Sequence, residues 1–486
     1  MKRVIKIIIG LLGLLAAYVV FNQFDSGPAR LEVGEPLDTS SMQVLLTGVF
    51  KPVSFEKSNG FYRLWTLTEA PEVDIESDAV ITKYRRMHDP QFDNAKYINE
   101  WHDSGNDWQV EKKKNEIKRG NYTRYFVEWK KIIGDDVKWM DFPVQYMDDW
   151  CGTLKEKKQT ILQLTKAYRL LSARYQKILD CEQVEEFTMV AKGDTLLTDT
   201  PLPNLLALLH LAKLHLTSNM LDATEGNWNQ GTANILAQIK FGKKLVKTSR
   251  TLMVNLIGKA LIRMSLYGLV SVMNQKDCPR DVFEQILNGL PPIEQDEFGN
   301  SKQLLAEGFA VIQETKKKGG LFYQMNRTQQ YYYDLFAKLY LADKTLPYRW
   351  NEHPLKSDSV KSGWFWWLQN PGGKIEFQRC LDSNVPKNLL VASFKGYAVK
   401  SFYDLTKISA ELHLHYTPNR PVQDILNGLT TYRTLPDPCS GKTYIWKDDR
   451  QILYGIGMDR TDNGGGESTR WMQIDGVDYT IPVVLF

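Results

Sequence analysis

The stretch "LMVNLIGKALIRMSLYGLVSVMN" (Leu252 to Asn274) is apolar around nearly its whole circumference, and its reading decides the fold. A helix with no wet side must be enclosed by other helices, so this segment is expected at the centre of a helical body. Working outward, Leu205, Leu208, Leu209, Ala212 and Leu216 recur at helical spacing after a start signal at Pro201 and Pro203. The stretch "EGNWNQGT" then turns the chain into a helix expected from about Thr232 to Val246, giving a helical hairpin ahead of the central segment.

The same period appears further out. Leu164, Tyr168, Leu171, Tyr175 and Ile178 share one face, with Lys166, Arg169, Arg174 and Lys177 off it. Two more helices are expected near Pro279 to Asn288 and Lys302 to Lys317. A long one follows over about Leu389 to His415, stopped by Pro418 and Pro421, and a short one over Val422 to Thr430. Between them, "SGWFWWLQNPGGK" reads as a break in which Pro371, Gly372 and Gly373 forbid a helix. Its bulky run, Trp364 to Trp367, is either a partner patch or a loop packed on the helices. The pattern predicts a mainly α fold of helical hairpins in an irregular bundle or α-solenoid, without a fixed repeat period.

At the N-terminus, Lys2, Arg3 and Lys6 open an apolar run from Ile7 to Phe21, and Lys6 can snorkel to include Val4 and Ile5, a length that just spans a bilayer. Basic residues before the run place the N-terminus in the cytoplasm and the rest of the chain outside it. A signal-peptidase site would have to be Gly27-Pro28-Ala29, too far past the run and carrying a proline, which favours a retained anchor. The expected organisation is an anchor over 1–24, a linker over 25–57, a mixed aromatic and charged region over 58–150, a helical domain over 151–430, and a C-terminal β-hairpin with a glycine-rich acidic loop over 431–486. The mixed region is expected to hold a strand pair around Arg124 to Trp139.

Charge and composition narrow the function. With 61 basic and 57 acidic residues, the net charge of +4 gives no global field to attract nucleic acid. The basic run "EKKKNEIKRG" from Glu111 contains its own acids and reads as a solvated helix face. Cys151, Cys181, Cys278, Cys380 and Cys439 would lie in an oxidising compartment, where an odd count leaves one unpaired. A single helix from Gly152 to Asp180 would hold Cys151 and Cys181 about 45 Å apart, too far for a disulfide.

No histidine pair has metal-protease spacing, and His413 and His415 fall on different helical faces. "CSGKT" resembles the end of a phosphate loop, but Pro436 stands where its first glycine belongs, so no nucleotide is expected. "SFEK" at Ser54 has serine-acylase spacing without the companion elements.

The segment "LPDPCSGKTYIWKDDRQILYGIGMDRTDNGGGE", followed by "DGVDYTIPVV", holds what remains. "TYIWK" and "RQILYGIG" alternate as two short strands joined by Lys447-Asp448-Asp449-Arg450. The loop after them offers oxygen from Asp459, Thr461, Asp462, Asn463 and Glu467, donors that suit calcium. The competing reading is a glycine-rich turn capped by its own Asx side chains. An EF-hand is excluded because Arg470 occupies the twelfth position.

This segment is similar to the C-terminus of the major pseudopilin of type II secretion, where an Asp-Pro turn and a tyrosine strand precede a calcium-binding loop. The resemblance implies calcium, with Asp459 as the loop's first aspartate and Asp475 or Asp478 as a later one. Together with the loop's own donors Asp462 and Asn463, this makes Asp459, Asp462, Asn463 and Asp478 the expected metal set. The resemblance stops there, since Lys2 to Phe21 lacks the processed glycine and following glutamate of a pilin.

The order of anchor, "GFYRLWTLTEAP", "LLSARYQKIL", helical hairpins, "NPGGK" and "LPDPCSGK" to "LYGIGMD" resembles a group of uncharacterised bacterial membrane-anchored periplasmic proteins, which brings no activity with it. The expectation is therefore a partner-binding scaffold of the cell envelope, anchored in the inner membrane and without nucleic-acid or nucleotide ligands. The alternative is an envelope hydrolase using paired carboxylates that the fold alone brings together.

Overall fold

The computed structural model describes residues 58–67, 74–78, 80–81, 150–186, 202–294, 297–315, 325–343, 347, 370–382, 385–457, 459–465 and 478–486. The expected anchor, the linker and the strand pair near Arg124 lie outside the described residues, as do Ser54 and Trp364 to Trp367. What is described is mainly helical, with a three-stranded antiparallel sheet near the C-terminus.

Fourteen helices occur among the described residues. They are α1 (Gly60–Thr66), α2 (Trp150–Glu156), α3 (Lys158–Ala167), α4 (Arg169–Leu179), α5 (Leu205–Thr224), α6 (Trp228–Thr248) and α7 (Leu252–Met273). After these come α8 (Arg280–Gly289), α9 (Ser301–Thr315), α10 (Met325–Asp343), α11 (Pro371–Asp382), α12 (Val385–His415), α13 (Val422–Gly428) and α14 (Thr430–Thr434).

Helix α7 is the central segment the sequence announced. It packs against α5, α6 and α12, and its start is set by the Thr251 side chain, which accepts the Val254 N–H at 3.3 Å. By length and composition it could cross a membrane, but 78% of its most apolar window is buried inside the protein. The contact with α6 is closest at two glycines. A Cβ on Gly242 would come within 2.8 Å of the Gly258 carbonyl oxygen, and one on Gly258 within 2.9 Å of the Gly242 oxygen. Only a residue without a side chain lets the two backbones approach this far.

Several boundaries differ from the expected ones. The turn into α6 is shorter than "EGNWNQGT", because Gly226 at φ 109° completes it and Trp228 already starts the helix. The single helix expected from Gly152 is three helices, interrupted at Lys157 and Tyr168, whose ψ of 11° leaves the helical region. The separation argument for Cys151 and Cys181 loses its premise, and none of the five cysteines is in a disulfide. Arg174, expected off the apolar face, is buried and donates from Nη1 to the Leu67 carbonyl at 3.3 Å.

The break expected at Pro371 is instead the first residue of α11. Proline lacks the N–H that a first-turn residue leaves unbonded anyway, and Asn370 caps the helix by accepting the Gly373 N–H at 3.2 Å.

The sheet has order β1 (Ile445–Lys447), β2 (Ile452–Gly455), β3 (Tyr479–Pro482). The first two strands and the intervening Asp448–Arg450 turn follow the sequence reading, with Trp446 opposite Leu453. The third strand, from "DGVDYTIPVV", was not foreseen and pairs Leu453 with Ile481. Tyr444, Leu453, Ile481 and Val483 join the same buried core as the helices, so the sheet is built onto the helical body. Asn274, just beyond α7, donates to the Pro482 carbonyl at 3.0 Å and accepts the Val484 N–H at 3.1 Å.

Candidate functional site

The acidic loop runs from the end of β2 toward β3, and the fold does bring Asp459, Asp462, Asn463 and Asp478 together. Asp478, buried at the start of β3, accepts the Gly457 N–H on Oδ1 at 3.2 Å. Its Oδ2 accepts those of Asn463 at 3.0 Å and Gly465 at 2.8 Å. Asp462 Oδ1 accepts from the Gly464 N–H at 2.8 Å and the Tyr454 hydroxyl at 3.1 Å. Asp459 accepts the Thr461 N–H at 3.0 Å and the Asn463 side-chain amide at 3.1 Å. Gly464 and Gly465, at φ 70° and 71°, supply the left-handed turns that aim those N–H groups inward.

These bonds wind the loop around its own aspartates. Among the described residues no group of three or more His, Cys, Asp or Glu side chains is arranged to hold a metal ion. Glu467 and Asp475 lie outside the described residues.

The "CSGKT" segment has a structural task. Buried Asp437 accepts the N–H groups of Cys439 at 3.4 Å and Ser440 at 3.0 Å, and the Ser401 hydroxyl of α12 at 3.1 Å. The histidines behave likewise. His413 stacks on Phe283 at 4.8 Å, and burial holds its imidazole down at about 4, so it stays neutral. His415 is exposed at the end of α12, on a different face.

The fold also assembles a carboxylate pair that no sequence spacing could show. Glu186 is buried and accepts the N–H of Arg250 at 2.5 Å, the N–H of Thr251 at 3.1 Å and the Thr251 hydroxyl at 2.9 Å. Glu307 of α9 accepts from the Leu252 backbone, and burial, aided by the Glu186 charge, raises its carboxyl to about 7. Both acids accept backbone N–H groups at the start of α7 that the helix leaves unbonded, Glu186 from Arg250 and Thr251 and Glu307 from Leu252. Their bonds are those of caps, with Glu186 also accepting the Thr251 hydroxyl.

A different feature is open to solvent. A cleft on α6 is lined by Lys240, Lys243, Lys244 and Lys247, with Leu179, Ala237 and Pro291. The spacing of the lysines, in "KFGKKLVK", is the i, i+3, i+4, i+7 of one helical face. The two inner ammonium groups are pinned. Lys244 donates to the Cys181 carbonyl at 2.6 Å, while Lys243 donates to the Pro292 carbonyl and pairs with Glu297 at 3.3 Å. Lys240 and Lys247 are exposed and, among the described residues, bond to nothing. Sequence reading missed this stripe because it looked for contiguous basic runs, and here Phe241, Gly242, Leu245 and Val246 interrupt the lysines to face the core.

No protein-family model, curated protein or solved structure matches this chain.

Proposed function

We propose that this protein is a partner-binding scaffold of the bacterial cell envelope, held by residues 1–24 in the inner membrane with its helical body in the periplasm. The observation that carries the binding role is the α6 cleft, whose lining offers cations and aliphatic carbon but no acid, nucleophile or histidine. The acids at the start of α7 support binding over hydrolysis, because Glu186 is engaged by the Arg250 and Thr251 N–H groups and the Thr251 hydroxyl, and Glu307 by the Leu252 backbone. Anchoring rests on the basic residues and apolar run before Asn22. Helical hairpins packed around α7 give such a scaffold a stiff body on which to present a surface.

The direct test is cross-linking in membranes with the full chain, followed by affinity capture. A stoichiometric protein partner is expected, and its absence under conditions that recover the intact protein overturns the scaffold reading. A reporter fused after Phe486 should be active outside the cytoplasm; activity confined to the cytoplasm removes the periplasmic assignment.

For the C-terminal loop we propose a structural turn, with calcium as the competing occupant. Calcium added to the full-length protein is then expected to leave Tm unchanged. A rise in Tm that Asp459→Ala abolishes would establish the ion instead.

A further inference from the structure

We propose that the α6 cleft is the docking groove for an extended acidic segment of a partner protein, one with two carboxylates three residues apart and an aliphatic side chain between them. This rests on the partner-binding reading and names the partner's chemistry. Lys240 and Lys247 are seven residues apart on α6, which separates them by about 10 Å along the axis. An extended peptide in the polyproline II conformation advances about 3.1 Å per residue with three residues per turn, so residues i and i+3 share one face and span about the same distance. Leu179 and Pro291 line the same cleft beside the inner lysines and give apolar carbon for the intervening side chain, with Ala237 one turn before Lys240.

The walls are held in place. The Pro291 carbonyl accepts the Tyr403 hydroxyl of α12, and the Pro292 carbonyl accepts Lys243. On the other side the Cys181 carbonyl takes Lys244. The groove is thus preformed, which reduces the ordering cost of binding. Glu297, at the margin, neutralises Lys243 alone. Lys407 on α12 adds positive charge, its ammonium lying 5.4 Å from the centre of the Tyr403 ring.

The alternatives fit less well. A single phosphate would require both outer side chains to bend inward from backbone positions about 10 Å apart, and the two inner lysines that could clamp one already serve carbonyl groups. A bilayer is a flat anion surface, whereas these cations line a cleft with a wall on each side.

The test uses the full-length protein in a neutral detergent and a fluorescein-labelled peptide containing Glu-Leu-Ala-Glu, read by fluorescence anisotropy. Binding is expected to weaken with added salt, and the Gln-Leu-Ala-Gln peptide should bind about tenfold more weakly. Lys240→Glu with Lys247→Glu should lower affinity by about tenfold or more, while Lys302→Glu on α9 leaves it unchanged. Should the reversed pair fail to fold, Lys240→Gln with Lys247→Gln carries the same comparison.

Equal binding of the two peptides, or full binding by the reversed protein, overturns the proposal. So does preferential, lysine-dependent binding to phosphatidylglycerol vesicles, which would make the cleft a lipid site. If membrane capture yields a partner that the reversed protein still retains, the scaffold reading stands and this groove is not its docking site. If capture yields none while the acidic peptide binds as expected, the groove stands and the scaffold reading falls.

Discussion

Helices α6 and α7 are hairpin partners of nearly equal length, 21 and 22 residues, and they handle positive charge in opposite ways. On α6 the lysines gather on one wet face while Ile235, Ile239, Phe241 and Leu245 fill the core. On α7 the cations are inside. Lys259 is 1% exposed and donates to the Gly299 carbonyl at 3.1 Å and to Asn300 Oδ1 at 2.5 Å. Arg263 lies over the Phe402 ring at 4.9 Å from its centre. A surface cation can wait for a ligand, but a buried one must have its partners built in, so α6 is where binding chemistry can reside and α7 is where the fold is secured.

The sharpest way to break this pair is at the point where the helices touch. Gly258→Val would press a side chain onto the Gly242 carbonyl and onto Val246, each 2.9 Å from the new Cβ. Neither α6 nor α7 can yield without moving the rest of the core, so the expected loss is about 3 kcal/mol. A urea midpoint shifted down at constant m would show it; an unchanged midpoint would mean the helices do not meet there.

The next effect appears with pH, at the start of α7. Because the Glu307 carboxyl is raised to about 7, the folded protein keeps a proton that the unfolded chain has released. Stability should therefore fall as pH rises from about 4.5 to about 7, by about 2–3 kcal/mol. Glu307→Gln should flatten that slope while keeping an oxygen for the Leu252 N–H. Denaturation at about pH 5 and about pH 8 tests it, and a variant with the parent's full slope would place the titration elsewhere.

These two sites show what was legible in the sequence. The period of apolar residues exposed α4, α5, α6 and α7, because helical burial repeats within a few residues and needs no distant information. Asn-capped Pro371 was misread, since a proline that breaks a helix interior is welcome at its first position. The acidic loop was visible as a cluster, but which donors its oxygens face depends on β3, a strand that brings Asp478 beneath residues more than ten positions earlier. Glu186 and Glu307 meet through packing alone, so nothing local could pair them. The α6 stripe was written in "KFGKKLVK" but becomes a site only when Leu179 and Pro291 wall it in.

A smaller effect is expected at the far end of α7. Asn274→Ala removes a donor to Pro482 and an acceptor for the Val484 N–H, freeing the last residues of the chain from the helix. The expected cost is about 1–2 kcal/mol, with faster amide exchange at Val484 in the variant. Loss of stability without that local exchange change would show that the strand is held by its apolar side chains, Ile481 and Val483, instead.

The smallest effect on stability should come from the residues assigned to binding. Lys240 and Lys247 are exposed and lack partners among the described residues, so reversing both should change unfolding free energy by no more than about 0.5 kcal/mol. The reversed carboxylates would lie near Lys243 and Lys244, whose ammonium groups are already bonded, so any gain in attraction is small and screened by salt. A drop of several kcal/mol would mean these lysines support the fold, and α6 would then differ from α7 in exposure but not in task. Near-neutrality combined with loss of peptide binding would separate the two helices by function, one face of α6 being maintained for something outside the chain.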